Sequence, residues 1–193
     1  MFAIIQSVLF YISIAVFIIS EYVGARMLPR IRSRGLKQTA AAKRGSLGLI
    51  SISIIAIILL ILAFQKLGLA NIPQWLFYTG FLIILFGIAI RQWAIVVLGR
   101  FFNVNVRSVE GHFVIKRGPY RLVRHPSYTG LLIIILGIAI EGGSWEGVLC
   151  AAAISLFFIW YRIRIEESFL IEQLGNEYVE YRKHTKYLIP FLI

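Results

Sequence analysis

The sequence predicts an all-α polytopic membrane protein: a helical bundle of five transmembrane helices, a long loop on its inner side and helices continuing past the last span. Three observations point there. Apolar residues make up 59% of the chain and charged residues 15%, with a mean hydropathy of +0.82. A soluble domain carries roughly 45–50% apolar and about 25% charged residues, and it could not hide this much apolar surface from water. Five apolar stretches punctuate the chain, and basic residues gather in alternate connections between them. At 193 residues there is room for one membrane domain, residues 1–193, and not for two separate soluble cores. Soluble enzymes, secreted disulfide scaffolds and disordered tails are excluded. The single cysteine, Cys150, permits no internal disulfide and no cysteine-based metal cage, and no metal is expected.

A helix needs about 20 apolar residues to cross the hydrocarbon core. The first candidate covers residues 2–19, broken only by Gln6, Ser7 and Ser13, and stops at Glu21. Without a basic leader or a small-residue cleavage site it does not read as a signal peptide. The second covers 47–64 without a charge, and the third covers 75–98. Pro73 suits the first turn of that third helix and Trp75 suits a membrane interface. The fourth covers 127–140 and the fifth 147–161. Both are short, and the Gly142-Gly143-Ser144 turn makes them a helical hairpin, tilted or set where the membrane is thin.

Of the 20 basic residues, all but Lys66 and Arg91 fall between spans one and two, between three and four, or after five. The positive-inside rule then places the N-terminus outside and the C-terminus in the cytosol. The formal charge of +11 would ordinarily suggest nucleic acid. In a membrane chain the basic run 26–44 is more simply a topology anchor that touches anionic headgroups. Its aromatics are too sparse to stack bases, so no nucleic acid is expected.

Two stretches exceed what spanning a membrane requires. Residues 99–126 are too long for a mere connector. They carry the turn residues Gly111, Gly118 and Pro119, and two of the three histidines, His112 and His125. Pro126 fits the first turn of helix four and restricts His125 to an extended backbone. Arg124 and His125 therefore stand at a helix N-terminus, where backbone N–H groups lack helical partners. Tyr128 follows in the first turn, and Gly130 allows close packing. The second stretch continues helix five inward to Leu174. Gly175 is its stop and another short helix starts near Asn176. Ile163, Glu167, Leu170 and Leu174 form one apolar stripe, with Arg162, Glu166 and Gln173 on a different, polar face. A carboxylate aimed at packed protein needs a partner, and Arg164, three residues before Glu167, is the nearest candidate.

These residues resemble the isoprenylcysteine carboxyl methyltransferase family and its wider phospholipid-methyltransferase relatives. The matching positions are Gly118-x-Tyr120, Arg124-His125-Pro126-Ser127-Tyr128-x-Gly130, Arg162-x-Arg164-x-Glu166-Glu167, Leu170, Gly175-x-Glu177-Tyr178, Tyr181 and Leu188-x-Pro190. The resemblance spans roughly residues 100–190; the acidic run is shorter here, with Ile165 before the glutamate pair. It implies an integral membrane enzyme that uses S-adenosylmethionine without a Rossmann domain. The cofactor-binding residues it implies are His112, Phe113, Val114, Ile115, Lys116, Gly118, Tyr120, His125, Pro126, Ser127, Tyr128 and Glu166 or Glu167. Tyr120 or Tyr128 would face the sulfonium, and Glu167 would pair with the ammonium of the amino-acid tail.

The implied acceptor is a lipophilic, prenyl-type carboxylate reached from the bilayer. Such a carboxylate is ionised at neutral pH and needs no general base. An arginine would orient it by bidentate contact, the candidates being Arg164, Arg162 and Arg124 in that order. Competing readings are a phospholipid amine acceptor with Glu166 or Glu167 as base, a small-thiol acceptor, an NADPH-dependent sterol-type reductase and a non-enzymatic scaffold. The implied location is the plasma membrane of a prokaryote or the endoplasmic reticulum of a eukaryote.

Overall fold

The computed structural model describes residues 2–27, 46–69, 71–102 and 113–189. All regular structure among them is helical. Helix α1 covers Phe2–Glu21 and ends in a π-helical turn, Tyr22–Met27. Helix α2 covers Ser46–Lys66, α3 Gln74–Leu98, α4 Pro126–Glu141, α5 Trp145–Leu174 and α6 Asn176–His184. Short 3-10 turns stand at Gly99–Phe101 and Gly118–Arg121. Most of the basic run 26–44 lies outside the described residues.

Among the described residues, three segments are long and apolar enough to cross a membrane: Ile5–Gly24, Gln74–Leu98 and Trp145–Leu174. The apolar segments Ser51–Lys66 and Pro126–Glu141 are shorter. At 1.5 Å per residue, α4 extends about 24 Å, short of the roughly 30 Å hydrocarbon layer. It compensates by burial. Leu131, Ile134, Ile135 and Ile138 of α4 sit at the centre of the core, packed on Phe10 and Phe17 of α1, Ile57 and Ile61 of α2, Phe77 and Ile84 of α3 and Ala151 of α5. The other helices turn Ile52, Leu59, Leu82, Phe86, Leu149 and Phe157 outward, where lipid rather than water suits them.

A glycine seam joins α3 to α4. A Cβ on Gly80 would stand 2.9 Å from the Gly137 carbonyl, and one on Gly137 would stand 2.9 Å from the Gly80 carbonyl. One turn-pair further in, Gly87 and Gly130 repeat the reciprocal approach at 2.9 and 2.8 Å. Small residues let the backbones meet where no hydrophobic force draws helices together.

The turns behave as their residues dictate. Pro73 stands just before α3 and Pro126 opens α4. Between α4 and α5, Gly143 takes φ 81°, and the Ser144 hydroxyl accepts from the Gly147 N–H at 3.2 Å. At the other end of α5, Gly175 adopts φ 57° and stops the helix, after which α6 folds back. The residues after α6 then run beside the start of α4. Arg124 N–H donates to the Lys186 carbonyl (2.8 Å), Lys186 N–H to Leu122 (3.1 Å) and His125 N–H to Tyr187 (3.3 Å). The Thr129 hydroxyl donates to the Leu188 carbonyl at 2.6 Å. His125 itself has φ −124° and ψ 55°, so the proline restricts it without fully extending it, and the tail's carbonyl holds its N–H.

Candidate functional site

The C-terminal ends of α3 and α5 and the N-terminal end of α4 meet α6 and the segment 113–125. Gly118, at φ 58°, turns that segment where a Cβ would press Val97 at 3.0 Å. Ile115 and Tyr120 are thereby seated against Ala94 and Phe101. Val114 is buried against Tyr178 and Tyr181 of α6. The Tyr181 hydroxyl donates to the Tyr120 carbonyl at 2.7 Å, tying α6 to the loop.

Two charged layers lie side by side on α5. In the first, Glu167 is buried and holds three partners. Arg124 Nε donates to its Oε1 at 2.8 Å, Arg182 approaches its Oε2 at 3.3 Å, and His125 Nε2 stands 3.4 Å from Oε1. Arg124 also donates to the carbonyls of Arg182 (3.1 Å) and Thr185, and its guanidinium lies over the Tyr187 ring. In the second layer, the Tyr128 hydroxyl donates to Glu166 Oε2 at 2.7 Å and accepts from Arg162 Nε at 3.1 Å. The His125 ring sits between Tyr128 and Tyr187, with centroids 5.9 and 5.8 Å away. Burial raises the phenols of Tyr120 and Tyr178 well above the ordinary tyrosine range, and that of Tyr181 to about 12. All three are neutral at physiological pH.

The arrangement offers carboxylates, guanidinium groups and aromatic faces at the inner end of an apolar bundle, with no group of three metal-ligating side chains among the described residues. Such a set can hold a ligand that carries charge.

Comparison with known proteins gives the family. The model of the isoprenylcysteine carboxyl methyltransferase family matches residues 79–172. Protein-S-isoprenylcysteine O-methyltransferase A of Arabidopsis thaliana is 30% identical over 183 residues, covering 94% of this chain and 91% of that protein. The chain belongs to the isoprenylcysteine carboxyl methyltransferase family. The mouse protein-S-isoprenylcysteine O-methyltransferase is 34% identical over 121 residues, or 61% of this chain and 42% of that one. The fold resembles the solved eukaryotic intramembrane Ras methyltransferase of the family with a TM-score of 0.71 at 24% identity. The similarity covers 93% of this chain and 64% of that chain.

Within this family member, the structure gathers Arg124, His125, Tyr128, Arg162, Glu166 and Glu167 into one cluster. Pro126 and Ser127 form the first turn of α4 behind it. Val114, Ile115, Gly118 and Tyr120 line the adjoining loop, while Phe113 and Lys116 are exposed. His112 lies outside the described residues. Two expectations need correction. Arg164 does not pair with Glu167: it is exposed and stacks over the Trp160 ring at 5.2 Å. Arg162 is not on a solvated face but only 3% exposed. The reason is the helical turn itself. Arg162 shares the inward face with Ser155, Ile159, Ile163 and Glu167, whereas position 164 lies roughly 200° around from 162 and points away. Treating arginine as a marker of the polar side hid this.

Sequence reasoning also missed Arg91 and Arg182. Arg91 is buried on α3 and grips Glu21, while a further nitrogen bonds the Ser127 carbonyl (2.9 Å) and hydroxyl (2.8 Å). The signal was available: an arginine near the end of an apolar span needs an acid at the same depth, and Glu21 ends the first span.

Proposed function

We propose that the protein transfers a methyl group from S-adenosylmethionine to the carboxylate of a prenylated cysteine or a similarly lipophilic acid. The observation that carries this reading is the convergence of Arg124, His125, Tyr128, Arg162, Glu166 and Glu167 at the inner end of an apolar bundle, beside the 113–120 segment. When bound, the cofactor supplies an electrophilic methyl carbon on a sulfonium. The residues present fit it. Tyr128 offers an aromatic face for a cation, Glu166 offers a carboxylate that accepts from the Tyr128 hydroxyl, and His125 and the 113–120 backbone offer hydrogen-bonding groups for adenine and ribose.

Each residue then has a task that geometry allows. Glu167, held by Arg124, Arg182 and His125, locks helix, loop and tail into one frame. Arg162, whose Nε donates to the Tyr128 hydroxyl, lies one helical turn before Glu166 and orients the acceptor carboxylate. The acceptor needs no base. The site must orient it, neutralise its charge and exclude water. Bringing two reactants together this way is worth up to about 7–11 kcal/mol. The chain sits in the membrane with five spans, N-terminus outside and the charged cluster on the cytosolic side, where a polar cofactor has access.

The test is methyl transfer from labelled S-adenosylmethionine by the purified protein, offered a prenylcysteine, a phospholipid amine and a small thiol in parallel. Label in the prenylcysteine as a base-labile ester is expected. Label only in the amine or the thiol would reassign the acceptor. Binding of NADPH with no transfer at all would make the protein a reductase instead.

A further inference from the structure

Tyr178 and Tyr181 stand one turn apart on α6, with rings 5.9 Å apart and side chains packed around Val114, Leu170, Ile171 and Leu174. Both are buried, at 4% and 5% exposure. Their hydroxyls have different fates. Tyr181 bonds the Tyr120 carbonyl. The Tyr178 hydroxyl is buried with no hydrogen-bond partner among the described residues. A phenylalanine would fill the same space without stranding a polar group, so a buried unpaired hydroxyl calls for an explanation. The surroundings supply one. Val114, against which the Tyr178 ring packs, belongs to the cofactor segment. The carboxylates of Glu167 and Glu166 and the Arg124 guanidinium are near enough to act on the Tyr178 hydroxyl electrostatically without bonding it.

We propose that the Tyr178 hydroxyl is a binding group for the S-adenosyl cofactor, donating a hydrogen bond to an acceptor atom on the ligand's polar part between Val114 and the Glu167 cluster. This rests on the methyl-donor reading given above. Tyr178 completes its hydrogen bonding when the ligand arrives, whereas Tyr181 fixes the frame beforehand.

Two variants of the full chain, Tyr178→Phe and Tyr181→Phe, separate the roles. Affinity for S-adenosylhomocysteine is measured by calorimetry on purified protein, and melting temperature is measured without ligand. Tyr178→Phe is expected to melt at or above the wild-type temperature while binding S-adenosylhomocysteine about five- to tenfold more weakly, the loss of one hydrogen bond. Tyr181→Phe is expected to melt lower. Wild-type affinity in Tyr178→Phe would overturn the inference and leave the cofactor reading standing. A lowered melting temperature in ligand-free Tyr178→Phe would also overturn it, because the hydroxyl would then have a structural partner. If the wild type itself fails to bind S-adenosylhomocysteine, both readings fall together.

Discussion

Arg91 on α3 and Glu21 at the end of α1 form a two-pronged ion pair: Nε and one terminal nitrogen of the guanidinium engage the two carboxylate oxygens, the latter at 2.6 Å. The remaining terminal nitrogen reaches Ser127 in the first turn of α4. One side chain thus ties three helices together next to the charged cluster. Arg91 is buried and Glu21 half-buried, so removing one partner strands the other, at a cost below the ~3–5 kcal/mol of a fully buried pair. Arg91→Met should therefore lower the melting temperature sharply. Arg91→Met with Glu21→Leu should recover much of the loss. A thermal-melt double-mutant cycle measures the coupling, and additive losses would mean that the pair contributes nothing.

The glycine seam predicts a position-dependent response to a single methyl group. In Gly87→Ala the new Cβ meets backbone at 2.9 Å and the Ile134 Cγ1 at 2.8 Å, so the helices must separate. Overpacking of this kind costs about 1–3 kcal/mol. In Gly147→Ala the nearest atom is a Phe64 ring carbon at 3.4 Å, an ordinary contact, and stability should hold. Melting both variants in the same detergent checks the contrast.

The two glutamates should fail differently. Glu167→Gln removes the charge that Arg124 and Arg182 share, so both methyl transfer and melting temperature should fall, the rate by at least about tenfold, or roughly 1.4 kcal/mol. Glu166→Gln still offers an oxygen to the Tyr128 hydroxyl, so the fold should survive. Any activity loss should then appear as weaker binding of S-adenosylmethionine. Comparing melting temperature with KM and kcat for the pair separates frame from binding.

Alkaline stability has a sign that can be worked out. Burial raises the Tyr181 phenol from 10.0 to about 12, so the folded chain keeps a proton that the unfolded chain gives up. The stabilisation is complete below pH 10 and is lost as pH climbs toward about 12. Its size is about 2–3 kcal/mol for this group. Urea melts from pH 9 to 12 should show steeper loss in the wild type than in Tyr181→Phe, which starts lower because it lacks the bond to Tyr120. Parallel curves would deny Tyr181 the titration.

The apolar segments were legible because a bilayer demands long unbroken stretches, and the stops at Gly142-Gly143 and Gly175 were legible because their residues admit the required turns. The two motif stretches were legible as one site through the Arg124-His125-Pro126 step and the glutamate pair. The partners within that site were not. Glu167 takes Arg182 from a later helix rather than Arg164 from its own, since an inward carboxylate is satisfied by whatever tertiary packing brings to it. Arg91 belonged to a span by hydropathy, and only the meeting of α1, α3 and α4 gives it Glu21 and Ser127. Local periodicity assigns a residue to a face; it does not identify the neighbour across the gap.

The bonds from Lys186, Tyr187 and Leu188 back to the start of α4 also set a timetable. The apolar helices all precede Arg182, Thr185 and this returning segment in the chain, so the segment is made after them. Until then Arg124 lacks the two carbonyls that hold its guanidinium, Glu167 has one arginine instead of two, and His125 has no carbonyl for its N–H. The main apolar core, whose members all lie before residue 155, does not draw on that segment, whereas the charged cluster does. Truncation before residue 182 should therefore spare the helical bundle and release Arg124, His125 and Glu167 from their common frame.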